Sequence, residues 1–132
     1  MKANGKVQTK LEVQRRRALG RLASLNLDDL TMNIVTCDVY PELPYPASYN
    51  LPYDGDPLDG GVLSTFMNEG VPGDPGSPAI HELEVCSPLL ELQPAEQYCH
   101  VSRSYQIRGD EAAIDRICRA FFDIELSSLR EF

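Results

Sequence analysis

Apolar residues recur along residues 6–25 at the spacing of a helix. Five of them fall on one stripe with a period of about 3.6 residues: Val7, Leu11, Ala18, Leu22 and Leu25. Arg16 and Arg17 point away from that stripe. The pattern predicts an amphipathic N-terminal helix within a basic segment, residues 1–27.

Strand patterns follow further along the chain. Residues 31–40, TMNIVTCDVY, are rich in β-branched residues and stop at Pro41, so they predict a strand. A second strand is predicted to begin at residue 80, and polar and apolar residues alternate over 97–108. Asp110 then suits the N-cap of a helix over 111–122, which has a clear apolar face.

The middle of the chain has a different composition. Residues 41–79 hold eight of the ten prolines and six of the nine glycines. Both residue types disfavour long helices and central strands. We therefore predict a long, ordered, tyrosine-rich connecting loop, with one short helix between Gly61 and Gly70.

These elements predict an α+β fold. It comprises a small antiparallel sheet of about three strands, an N-terminal and a C-terminal helix, and the long Pro/Gly/Tyr-rich loop. The length of 132 residues suits one domain. Within it we expect a basic helix (1–27), an acidic body of strands and loops (28–109), and a C-terminal helix with its tail (110–132).

Charge is segregated along the sequence. Residues 1–21 carry +6 and residues 103–132 carry −1, whereas residues 22–102 carry thirteen acids and no lysine or arginine. The net charge is −8. A negative surface of this kind steers association with a basic partner and selects among partners. Nucleic-acid-binding proteins are a common class of basic partner, because phosphate contacts require Lys and Arg.

The sequence therefore favours a non-enzymatic, acidic protein-binding module. In its concrete form it is an inhibitor that occupies the basic nucleic-acid groove of its partner, as small accessory proteins of phages or plasmids do. Tyrosine is favoured at interfaces, and turns expose aspartates. The predicted partner-binding residues are Tyr45, Tyr49, Tyr53, Asp54, Asp56, Asp59 and Asp74.

A small metal-dependent hydrolase is the first alternative, and it would use the loop from Asp54 to Asp59. That loop matches only two ligand positions of an EF-hand. The histidines and cysteines lack the usual spacing of a zinc site. We therefore predict no catalytic residue, no metal and no cofactor.

A nucleic-acid binder is the second alternative. It would use the basic stretch around Arg15, Arg16, Arg17 and Arg21. The acidic remainder opposes direct binding to a polyanion. The sequence has no secretory signal pattern and no run of about 18 apolar residues. These features predict a cytoplasmic protein that does not associate with membranes.

Overall fold

The computed structural model describes residues 9–47, 55–68, 70 and 79–131, and this part of the chain is mostly β-structure. Its six strands form two antiparallel sheets of three strands each. The strands are β1 (Thr9–Gln14), β2 (Arg21–Asn26), β3 (Thr31–Cys37), β4 (Gly61–Asn68), β5 (Ile80–Val85) and β6 (Ser102–Arg108). The helices are α1 (Glu111–Ile117) and α2 (Leu126–Leu129), and a π-helical turn, Cys118–Phe122, follows α1.

The predicted N-terminal helix is wrong, because β1 and β2 occupy its place. Along β1, Lys10 and Glu12 alternate with Leu11 and Val13, which is the period of a half-buried strand. Gly20 lies between the two strands at φ +67°, outside the helical region. A Cβ there would lie 2.4 Å from the carbonyl oxygen of Cys37, so the close approach to β3 requires glycine.

The predicted short helix between Gly61 and Gly70 is also wrong. This segment is β4, the central strand of its sheet, and five of its residues in succession, 61–65, are buried. A strand covered on both faces has no simple alternation of polar and apolar residues. The sheet, rather than local propensity, therefore decides its conformation. With this strand added, the α+β prediction of about three strands gives way to a mostly β architecture.

The central strand of each sheet contains the sheet's most buried residues. In the β4 sheet the order is β1-β4-β5, and in the β3 sheet it is β2-β3-β6. The register places Leu11, Thr65 and Leu83 in one row across the β4 sheet. Strand β5 packs near β2 and β3, so the β4 sheet lies against one face of the β2–β3 hairpin.

The C-terminal helical segment covers the other face of the β3 sheet. As predicted, Asp110 caps α1, since its side chain accepts the amide of Ala113 at 2.8 Å. The π-helical turn has a wider period than an α-helix, so it rotates the side chains that follow it. Phe122 consequently packs on the core, while Phe121 is 40% exposed.

Two clusters form the core. Met32 and Ile34 of β3 pack on Ile114, Cys118 and Leu126 of the helical segment. The second cluster joins the two sheets and consists of buried Tyr45, Val62 and Leu63, with partly buried neighbours from both sheets. No helix among the described residues is long and apolar enough to cross a membrane.

Replacing Ile114 with alanine tests the assignment of the first cluster. Ile114 has no exposed surface, so Ile114→Ala should lower the free energy of unfolding by about 2–5 kcal/mol. Phe121→Ala removes a larger side chain from the same helical segment and serves as the control. Urea denaturation of both variants should show the smaller loss for Phe121→Ala, and the reverse order would refute the assignment.

Candidate functional site

A groove of ≈ 1190 Å³ lies between the two sheets. Its floor is the face of the β4 sheet that carries Leu11, Thr65 and Leu83. Residues 21–28, which comprise all of β2 and the start of its turn, line one side of the groove. The C-terminal segment lines it as well, through side chains that include Phe122 and Leu129. The groove is therefore mostly apolar and runs along an edge strand.

Polar side chains connect the two sheets within this groove. The ring of His81 on β5 lies between two hydroxyls, with Nδ1 at 3.2 Å from Ser24 Oγ and Nε2 at 2.9 Å from Thr65 Oγ1. Ser24 belongs to β2 and Thr65 to β4. The imidazole thus connects β2 to β4 through one hydrogen bond to each strand.

Arg21 lies at the start of β2 and lines the same groove. Its Nε atom is buried and has no hydrogen-bond partner. No ion pair or hydrogen bond joins its guanidinium to any residue within the described ranges. Arg21 is therefore a partly buried cation without a counter-ion there.

The opposite face of the β4 sheet carries a carboxylate held by two donors. Lys10 Nζ donates to Glu84 Oε2 at 2.6 Å, and Ser64 Oγ donates to the same oxygen at 2.5 Å. Burial raises the pKa of Glu84, but these two hydrogen bonds and the charge of Lys10 outweigh it, so the net pKa lies below its ordinary value. Glu12 and Glu84 flank Ser64 in one cross-strand row.

Two cysteines at strand ends lie between acids of the β4 sheet and acids of the β3 sheet. Cys86 lies after β5, and its thiol pKa is raised by burial and then by the charges of Glu84 and Glu12. Burial, Asp38 and Cys86 raise the pKa of Cys37 at the end of β3. The pKa of each thiol is raised by an acid in or next to its own strand, and the pKa of Cys37 is also raised by Cys86, so the two thiols lie near each other. Asp38, which follows β3, and Glu84 of β5 therefore lie near the same pair of thiols.

Two tyrosines extend this region. Burial, a hydrogen bond to Tyr40, and negative groups that include Asp38 raise the pKa of Tyr98 to about 12. The charge of Glu42 contributes to the raised pKa of nearby Tyr45, after burial. We call the region formed by Glu12, Asp38, Glu42, Glu82 and Glu84, with Tyr40 and Tyr98, the acidic face.

Most acids of residues 22–102 are exposed and without a cationic partner within the described ranges. Two of the described ones form ion pairs, namely Asp59 with Arg15 and Glu84 with Lys10. The other eight are exposed and have none: Asp28, Asp29, Asp38, Glu42, Asp56, Glu82, Glu91 and Glu96. Because no cation of the described fold neutralises them, their charge is directed at the surroundings.

The structure places three of the predicted partner-binding residues. Tyr45 has no exposed surface, and its hydroxyl accepts the amide of Tyr40 at 3.1 Å, so its ring belongs to the core. Asp56 accepts the amide of Leu58 in a turn, and Asp59 lies 3.3 Å from Arg15. The remaining predicted residues lie outside the described ones: Tyr49, Tyr53, Asp54 and Asp74.

The arginines of the nucleic-acid alternative do not share one helix face, because they lie in a turn and a strand. Arg15 donates to the carbonyls of Leu43 and Leu58 and pairs with Asp59, so it secures the loop around Tyr45. Arg16 and Arg17 are exposed in the turn after β1. The basic stretch is thus divided between a structural contact, an exposed turn and the groove.

The metal-site alternative draws on residues that the structure describes only in part. Within the described ranges, no three His, Cys, Asp or Glu side chains are grouped closely enough to hold a metal ion. The proposed hydrolase loop begins at Asp54, which lies outside these ranges.

Residues 1–132 match the sequence model of a family described as "Family of unknown function (DUF6786)". The chain belongs to this family. Comparison with curated proteins and comparison with solved structures each found no match. The membership carries no activity with it, so the function of this family member has to be argued from its own surface.

The helix predicted over residues 6–25 gave no indication of the groove between the sheets. Two signals in the sequence pointed to strands instead. Polar and apolar residues alternate over residues 10–14, KLEVQ, which is typical of a strand. Gly20 disfavours a helix that runs through it. The contact of Arg21 with the groove had no sequence signal, because it depends on how the two sheets meet.

Glu84→Gln should reveal the ion pair through the pH dependence of stability. The pKa of Glu84 is lowered in the folded state, so the charged pair stabilises the fold above the ordinary pKa of 4.5 and this contribution is lost as pH falls through the lower, folded-state pKa. Urea denaturation between about pH 2 and pH 7 should therefore show a destabilised variant at neutral pH that converges with the wild type in acid. Glu91→Gln, at an exposed carboxylate, should change stability little at any pH. A pH-independent loss in Glu84→Gln would contradict this account.

Proposed function

We propose that this domain is a non-enzymatic protein-binding module that uses the acidic face to meet a partner with a basic surface. The observation that carries the proposal is the exposure of Asp38, Glu42 and Glu82 on this face, where none of the three has a cationic partner in the described fold. Such uncompensated charge raises the rate of encounter with a basic surface and disfavours acidic partners.

An apolar segment beside the acidic face supports the same role. Residues 86–101 form no regular element and are mostly exposed. The amide of Leu89 donates to the carbonyl of Pro44, which holds this segment next to the loop that carries Glu42. Its large exposed side chains are Leu89, Leu90, Leu92, Tyr98 and Val101. Apolar and aromatic groups bordered by charge have the make-up of a protein–protein interface.

The sharper form of the proposal names the partner class. A nucleic-acid-binding protein presents Lys and Arg along the groove that holds its phosphates. The acidic face is opposite in charge to such a groove, and occupying the groove would inhibit nucleic-acid binding. We further propose a cytoplasmic setting, in which the four free cysteines remain reduced.

Paired charge reversals test the role of the acidic face. The variant Asp38→Lys/Glu42→Lys changes two exposed acids of that face. The control Asp123→Lys/Glu131→Lys makes the same change in charge at two exposed acids of the C-terminal segment. The tagged chain is used to capture partners from a lysate, and the association rate of a captured protein is then measured at low and high salt.

The face variant should slow association at low salt by tenfold or more, and the control should stay within about twofold of the wild type. High salt should remove most of the difference. For the sharper form, added DNA or RNA should release the captured protein. Equal rates for the wild type and the face variant would refute the proposal, and capture that nucleic acid does not disturb would refute its sharper form alone.

A further inference from the structure

The outer edge of β2 carries backbone groups that pair with nothing in the described fold. The amide of Cys37 donates to the carbonyl of Gly20 at 2.9 Å, which sets the alternation of the β2–β3 ladder. Leu22, Ser24 and Asn26 therefore direct their backbone groups toward β3. Those of Arg21, Ala23 and Leu25 point the other way, along the groove. This edge has the hydrogen-bonding pattern that accepts another strand.

The shape of the groove suits an extended chain better than a compact small molecule. Its ≈ 1190 Å³ exceeds the roughly 300–1,000 Å³ of ordinary small-molecule pockets. Residues 21–28 line it continuously, and the six residues of β2 alone extend about 20 Å. Leu11 and Leu83 on its floor would receive alternate side chains of a chain lying beside β2.

Arg21 supplies the charge that selects among such chains. Its buried Nε atom has no hydrogen-bond partner, and its guanidinium has no counter-ion among the described residues. The register places Arg21, Thr36 and Arg103 in one row across the β3 sheet. A guanidinium in this position binds a carboxylate through two parallel hydrogen bonds.

The edge of β6 is better protected against strand addition than the edge of β2, because β6 has a charged residue near each of its ends. Strand β6 forms the other margin of the β3 sheet and is exposed along nearly its whole length, with Arg103 and Arg108 near its ends. Charged side chains on an edge discourage strand addition. Strand β2 carries one charged residue, Arg21 at its start, and it has no proline and an unbroken register with β3. Within the described residues, the edge of β2 is the less protected of the two, and it is also bordered by an apolar groove.

We propose that the edge of β2 takes up an extended segment of a partner protein by strand addition, with a carboxylate of that segment bound to Arg21. Main-chain bonds to Arg21, Ala23 and Leu25 supply affinity, and the carboxylate sets the register. This site is separate from the acidic face and prefers the opposite charge. Its test therefore succeeds or fails independently of the proposed function.

Nuclear magnetic resonance of the full-length, nitrogen-15-labelled chain tests this proposal. The probes are eight-residue peptides of alternating valine and threonine that carry one glutamate, at the N-terminal end in one peptide and at the C-terminal end in another. All are acetylated at the N-terminus and amidated at the C-terminus, so the glutamate is the only carboxylate, and matched peptides carry glutamine instead. A glutamate peptide should slow hydrogen exchange at least tenfold at the amides of Arg21, Ala23 and Leu25. The amides of Leu22 and Ser24, already paired with β3, should change much less.

Two variants separate strand addition from other binding. Ala23→Pro removes an outward-pointing amide without breaking the ladder to β3, so it should abolish the protection. Arg21→Gln should weaken glutamate-peptide binding about tenfold and leave glutamine-peptide binding unchanged. If Ala23→Pro does not fold, the Arg21→Gln comparison decides the matter alone.

Several results would overturn the proposal. Uniform protection of β2, or no protection at millimolar peptide, would exclude strand addition. Equal effects of Arg21→Gln on both peptides would exclude the carboxylate contact. If the three amides are already protected without peptide, and more so at higher protein concentration, a second copy of the chain fills the edge instead.

Discussion

The burial of the β2–β3 hairpin on both faces is the constraint on which the rest of the structure depends. On one face, Met32 and Ile34 pack against α1 and the segment after it. On the other, Leu22 and Cys37 join a cluster centred on Tyr45, Val62 and Leu63. The burial of Met32 and of Ile34 contributes roughly 1.5–3 kcal/mol each. Because the hairpin belongs to both clusters, it fixes the position of the helical segment and of the β4 sheet together.

Both candidate binding surfaces follow from this arrangement. The β4 sheet packs on one face of the hairpin without pairing to β2, so no described strand pairs with the outer edge of β2 above the apolar floor. The same stacking brings the end of β3 beside the end of β5, where Asp38 and Glu84 act on neighbouring thiols. Among the described residues, this arrangement thus produces a groove whose arginine has no counter-ion, and an exposed negative face.

Some charged residues of this protein stabilise the fold, whereas most acids of the acidic surface do not. Lys10 and Arg15 each pair with an acid and hold structure, the first within the β4 sheet and the second at the Tyr45 loop. Exposed ion pairs contribute at most about 1 kcal/mol each, so pairing the other acids would add little stability. Their value lies in interaction with other molecules, since uncompensated charge acts over several ångströms of solvent.

The sequence by itself determined those features that depend only on residues close together in the chain. Strand β3, the start of β5, the Asp110 cap and the separation of charge were all predictable, since β-branched composition, capping and charge are local properties. The central strand β4 was not, because a strand buried on both faces lacks alternation. The tertiary structure decided which of two competing patterns residues 6–25 would follow, and it alone decided that Tyr45 would be buried and that Arg21 would line a groove. Each of these outcomes depends on long-range pairing between strands, whose stabilisation exceeds the small differences in local propensity.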